Sequence, residues 1–168
     1  MMISKLHCIT VVGTILGATI AFAQGKQDIR GFRPGMTFAE AGEFVRKNNV
    51  SCVNFSREVI PYGVKCDDMT LWFSPELDDT PLIAIYTELR TNSSVEEVVK
   101  SISEQFSKPA VAVPEDRSTG PGYEWQLDGG KVLRFTPSRR GLHLVDAELA
   151  DKADQERYRR SRVPVPKL

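Results

Sequence analysis

Histidine is almost absent from this chain, two in 168 residues, and cysteine is nearly as scarce at three. One of each, His7 and Cys8, falls in an apolar leader, so His143, Cys52 and Cys66 carry what remains of that chemistry. A lone histidine with no nucleophile at a recognisable spacing gives no basis for a His-dependent triad, and His143 reads as a packed or half-exposed strand residue. Zinc is poorly supported, because there is no Cys-x-x-Cys and no histidine near either cysteine. An Asp-x-Asp-x-Asp-Gly calcium loop and a phosphate-cradling glycine loop are both missing, since Asp128-Gly129-Gly130 lies between alternating strands and reads as turn chemistry. No catalytic residue, metal or cofactor is expected, and the chain is read as a non-enzyme.

A charge excess of either sign is also lacking. The 22 Lys and Arg match the 22 Asp and Glu, and only Lys5 belongs to the leader. No bulk field draws the protein to nucleic acid or a membrane. The distribution is less even, because residues 151–168 carry Lys152, Arg157, Arg159, Arg160, Arg162 and Lys167. The tail is basic and the body acidic.

Nor is there an apolar run of the roughly 20 residues that a membrane span needs. The run from Ile9 to Phe22 is shorter, follows Lys5 and ends in Ala21-Phe22-Ala23, the small-x-small pattern of a signal-peptidase site. Residues 1–23 therefore read as a signal peptide cleaved near Ala23, with the product periplasmic or secreted. Cys8 lies inside the apolar core with no small-residue box before it, which argues against a lipid anchor. The two mature cysteines flank Ile60-Pro61-Tyr62-Gly63 almost symmetrically, and opposed hairpin positions come within disulfide range. A Cys52–Cys66 bridge closing about fifteen residues is worth about 3 kcal/mol in a chain-entropy account.

What is present organises into two cycles. Arg33-Pro34-Gly35-Met36 satisfies a type II turn, and Thr37 with Glu40 makes a capping box for a helix whose apolar face is Phe38, Ala41, Phe44 and Val45. Residues 52–55, 64–66, 70–73 and 82–89 read as strands. Ser93 and Ser94, with Glu96 and Glu97 at capping distance, then open a second helix with Val95, Val98, Val99, Ile102 and Phe106 on one face. Residues 123–127 and 131–135 form a hairpin, and 142–149 a last strand.

The cycles look like copies. Leu71-Trp72-Phe73-Ser74-Pro75 matches Leu133-Arg134-Phe135-Thr136-Pro137, and Leu82, Glu88 and Leu89 match Leu142, Glu148 and Leu149. The expected fold class is α+β: a single domain over residues 24–150 of two similar halves, about 31–90 and 93–150, with helices packed on one face of antiparallel sheet. Residues 151–168 are expected to be a basic arm, mobile in isolation, helical over 153–162 and polyproline-like from Val163; its arginines suit an acidic surface on the body itself or on a partner, and its removal leaves stability nearly unchanged.

Gly35-Met36-Thr37 leading into Ala39-Glu40-Ala41 and then a meander resembles the small exported proteins of the BamE and β-lactamase-inhibitor-protein type. The second half, with Phe106-Ser107-Lys108-Pro109 after a helix and Tyr123-Glu124-Trp125-Gln126-Leu127-Asp128-Gly129-Gly130 before Leu133-Arg134-Phe135, is similar to many bacterial envelope proteins. The resemblance covers most of residues 31–149 and implies an exported module that binds proteins. It departs in lacking the BamE lipid anchor and in having two modules, and it transfers no functional residue.

Candidate contact residues follow from the pattern. Trp72 has Leu71 and Phe73 beside it on the opposite face, so one set must point away from the core; Trp72, Tyr86 and Trp125 are candidate interface aromatics. Glu76, Asp78 and Asp79 in one loop answer Arg139 and Arg140 in the matching loop, a pair of opposite charge suited to steering a polar partner. The leading reading is a protein-binding module engaging another envelope or secreted protein through sheet face and loops. The alternatives are a small hydrolase using turn carboxylates, Asp67-Asp68 included, and a carrier of an apolar ligand between helices and sheet.

Overall fold

A computed structural model of the chain describes residues 27–53, 55, 62–114 and 120–162. The leader and its cleavage site lie outside those residues, as do Ile60, Pro61 and residues 163–168. The type II turn forms as its sequence dictates: Gly35 takes φ +93°, and the Met36 amide donates to the Arg33 carbonyl at 3.2 Å. Helix α1 (Phe38–Asn48) starts on the Thr37/Glu40 capping box and stops at Asn49, which is left-handed at φ 52°. Helix α2 (Val95–Phe106) repeats the design with Ser94, Glu97 and a left-handed Ser107.

Among the described residues eight strands make one antiparallel sheet. They are β1 (Cys52–Val53), β2 (Gly63–Cys66), β3 (Met69–Phe73), β4 (Leu82–Glu88), β5 (Val111–Val113), β6 (Gly122–Gln126), β7 (Lys131–Thr136) and β8 (Gly141–Asp146). Their order is β1-β2-β3-β4-β8-β7-β6-β5, so each half of the chain supplies four consecutive strands and the halves meet where β4 pairs with β8. The bridge is present between Cys52 and Cys66, which are register partners with Cα atoms 4.0 Å apart.

Register explains the core. Val64, Leu71, Ile85, Leu144, Leu133 and Trp125 are successive cross-strand partners from β2 to β6, and none is more than 1% exposed. Successive residues face opposite ways, so this row defines the inner face. Helix α1 reaches that core through Phe38, whose ring meets Phe73 edge-on at 5.0 Å. Helix α2 reaches it through Ser103, whose hydroxyl accepts the Trp125 indole N–H at 2.9 Å.

Three expectations need correction. Strand β8 stops at Asp146, not at residue 149, because the Asp146 carboxylate accepts the Leu149 amide at 3.0 Å and caps helix α3 (Ala147–Ser161). Glu148 and Leu149 are therefore helical while Glu88 ends a strand and Leu89 follows it, and that part of the match between halves does not hold. The boundary at 150 falls within α3, which begins six residues before the helix expected from Ala153 and lies against β4, β7 and β8. Strand β5 went unread because three residues between Pro109 and Pro114 carry almost no periodic signal.

Candidate functional site

The face opposite the core has its own cross-strand row. Val53, Lys65, Thr70, Tyr86, His143, Arg134, Glu124 and Val111 are successive register partners across all eight strands, and none of them is buried. The contrast with the six-residue core row, one residue along each strand, is what alternation produces when one sheet face stays partly open. Aromatic and paired charged groups fill the middle of the row: the Tyr86 and His143 rings meet edge-on at 6.5 Å, and Arg134 donates to Glu124 at 3.1 Å and to the Gly120 carbonyl at 3.0 Å.

Two glycines shape this surface. Trp72 lies over Gly63, its strand partner, where an added Cβ would stand 3.1 Å from the indole six-membered ring. Tyr86 lies over Gly141, where an added Cβ would stand 2.7 Å from the phenol ring. The missing side chains let both rings lie low on the sheet, and Trp72 remains 43% exposed. Burial and the Glu88 carboxylate push the Tyr86 hydroxyl pKa up, against an opposing pull from Arg139. Burial, then the neighbouring Arg134 charge, push the His143 pKa down, so the imidazole is held neutral.

Of the residues singled out by sequence, Trp72 and Tyr86 lie on this face. Trp125 does not: it is fully buried in the core row, because its parity on β6 follows Leu133 and not Arg134. The charged loops are not brought together either. The loop holding Glu76, Asp78 and Asp79 leaves β3 beside Leu82, the start of β4, whereas Arg139 and Arg140 precede Gly141, which pairs with Glu88 at the other end of β4. Seven residues of strand separate the two ends, about 20 Å. Asp78, Asp79 and Arg139 are exposed, while Arg140 turns inward to donate to the Ser93 carbonyl at 2.6 Å.

Glu76 is the surprise of that loop. Its side chain is 5% exposed, and its carboxylate accepts from the Tyr62 hydroxyl at 2.6 Å, the Ser74 hydroxyl at 2.9 Å and Arg157 Nε of α3 at 3.0 Å. Arg160 donates to the Glu76 carbonyl at 2.7 Å. Burial alone would raise the carboxyl pKa, but the bonds from Tyr62, Arg157, its own backbone and Ser74 outweigh it and hold the group at about 2. Tyr62, Arg157 and Arg160 were not assigned this contact by sequence reading. The signal for the two arginines was the arginine cluster of residues 157–162, which suits an acidic surface on the body without naming Glu76.

The remaining candidate chemistry is accounted for locally. Asp68 is engaged by Arg30 and approached by Arg90, and Asp67 occupies a turn at φ 50°. Among the described residues no group of three His, Cys, Asp or Glu side chains is placed to hold a metal ion, and no helix is long and apolar enough to cross a membrane. A groove of about 320 Å³ beside α1 is lined by residues that include Phe38, Gly42, Val45, Val50, Phe55 and the disulfide residue Cys52. No protein-family model, curated protein or solved structure matches this chain.

Proposed function

We propose that the chain is an exported protein-binding module, and that its outer sheet face is the recognition surface for another envelope or secreted protein. The observation that carries the reading is the unburied row from Lys65 to Glu124, in which Tyr86 lies low over Gly141, with Trp72 low over Gly63 beside it. Flat, half-exposed aromatics flanked by polar and charged groups are the composition of interface hot spots, and the sheet holds them rigid before binding, which reduces the ordering cost. The Cys52–Cys66 bridge supports an oxidising compartment, and the leader-like residues 1–23 supply the route to it. The two sets of four strands meeting at β4–β8, each preceded by a capped helix, support descent from a duplicated helix-plus-meander unit. Likeness to the BamE and β-lactamase-inhibitor-protein type rests on the same arrangement.

Affinity capture from an envelope extract tests this directly. A partner retained by the unaltered chain should be lost with Trp72→Ala combined with Tyr86→Ala and kept with Glu104→Ala, a substitution on the solvent side of α2. A partner retained equally by all three chains would remove the outer face from the proposal.

A further inference from the structure

Helix α3 has one buried residue, Ala153, among its fifteen, so little apolar area holds it to the body. Its far end is held by polar groups that converge on one place, the Glu76 loop. The carboxylate there is positioned without help from α3, since Tyr62 and Ser74, which donate to its two oxygens, both belong to the β1–β4 half. Tyr62 is 52% exposed and forms a wall: the Arg157 guanidinium carbon sits 5.5 Å from the centre of its ring. A desolvated carboxylate fixed by two hydroxyls still demands a cation, because a buried charge left unpaired is strongly destabilising. A carbonyl acceptor beside it, that of Glu76, takes a second guanidinium, from Arg160. Carboxylate, aromatic face and carbonyl together are the acceptor set that suits a planar, always-charged guanidinium better than an ammonium.

We propose that Glu76, Tyr62 and Ser74 form a guanidinium-binding site that α3 occupies in cis, and that an arginine-bearing segment of a protein partner occupies in its place. Helix α3 is then a strap over its own receptor, and the partner's arginine competes with Arg157. The proposal rests on the reading of the chain as a protein-binding module but uses different residues from those of the outer row. A tethered strap acts at millimolar effective concentration, so a partner must bring more than one contact to displace it.

The probe is a fluorescent peptide of residues 147–162 added to the full chain and followed by anisotropy. A chain with Arg157→Ala and Arg160→Ala should bind it at least tenfold more tightly than the unaltered chain, with affinity falling as salt rises. Adding Glu76→Gln to that chain should return binding to the weak level, and a peptide with both arginines replaced by lysine should bind less well. Equal binding by all the chains, or equal binding of the two peptides, overturns the proposal. Tyr86→Ala on the outer face should leave peptide binding unchanged; its loss there would place the peptide on the row and overturn the separate site while sparing the proposed function. Should the double variant fail to fold, hydrogen exchange on the unaltered chain decides: α3 amides should open before those of β4 and β8, and faster with excess peptide. Exchange of α3 only together with the sheet, unmoved by peptide, overturns it.

Discussion

Helices α2 and α3 begin alike and are held by different physics. Both carry an N-cap side chain that accepts an amide of the first turn, Ser94 in one and Asp146 in the other. Beyond the cap, α2 sets Val98 and Ile102 into the core with Val95, Val99 and Phe106 packed beside them, whereas α3 buries only Ala153. A buried aliphatic side chain contributes about 1.5 to 3 kcal/mol and depends little on salt or pH. An ion pair at a desolvated carboxylate contributes little net, yet losing one partner costs much more than the pair contributed. Helix α2 is therefore attached by area, and α3 by the penalty for leaving Glu76 alone.

The largest effect should come from α2. Ile102→Ala leaves a cavity where the helix meets the sheet and should lower unfolding stability by about 2 to 5 kcal/mol, read from chemical denaturation. A loss under about 0.5 kcal/mol would mean that the stripe is not core, and the contrast between the helices would fall.

Next in size is Arg157→Ala, expected to cost about 2 kcal/mol because it strips the cation from a carboxylate that stays buried while half of the arginine was solvated already. Removing residues 156–168 should cost about the same, contrary to the expectation for a free arm. Glu76 also sets an acid limb. Its folded pKa of about 2 lies below the ordinary 4.5, so its contribution is complete above about pH 4.5 and is lost as pH falls toward 2. The full shift corresponds to about 3 kcal/mol across that window. Glu76→Gln should flatten the limb, and an unchanged acid profile would show that the carboxylate does not govern it. Raising salt should weaken the attachment of α3 and leave that of α2 unchanged.

The same comparison shows what the sequence made legible. The α2 stripe is written in Val95, Val98, Val99, Ile102 and Phe106, because apolar periodicity is a local property that survives any tertiary arrangement. The turn at Gly35, both capping boxes and the Cys52–Cys66 pairing were legible for the same reason. The docking of α3 was not, since Arg157 and Glu76 lie 81 residues apart and an isolated charge carries no periodic mark. Trp125 escaped because the side of a strand residue depends on register with its neighbours: Leu133 opposite it fixes the ring inward, and that pairing cannot be read from Tyr123-Glu124-Trp125 alone. The outer row had to wait for the same information.

The smallest effect belongs to His143, and it asks whether the outer face shares the pH sensitivity of the strap. The imidazole lies between Tyr86 of β4 and Arg134 of β7, with Glu124 of β6 compensating Arg134 one strand further on. Burial first, then Arg134, lower its pKa below the usual 6.5. The folded state therefore binds this proton less readily than the unfolded chain, and stability falls as pH drops from about 6.5 through the depressed value. That loss sets in at higher pH than the one set by Glu76, which begins only below about 4.5. Imidazole resonances followed by NMR should titrate below 6.5 in the unaltered chain and move upward in Arg134→Gln, which removes the repelling charge at the risk of freeing Glu124 to draw the value up further. His143→Gln should erase the loss of stability that begins as pH falls below about 6.5 while leaving the Glu76 limb intact. A midpoint at or above 6.5 would show that the row is more hydrated than its packing implies, and pH would then act on this molecule through the strap alone.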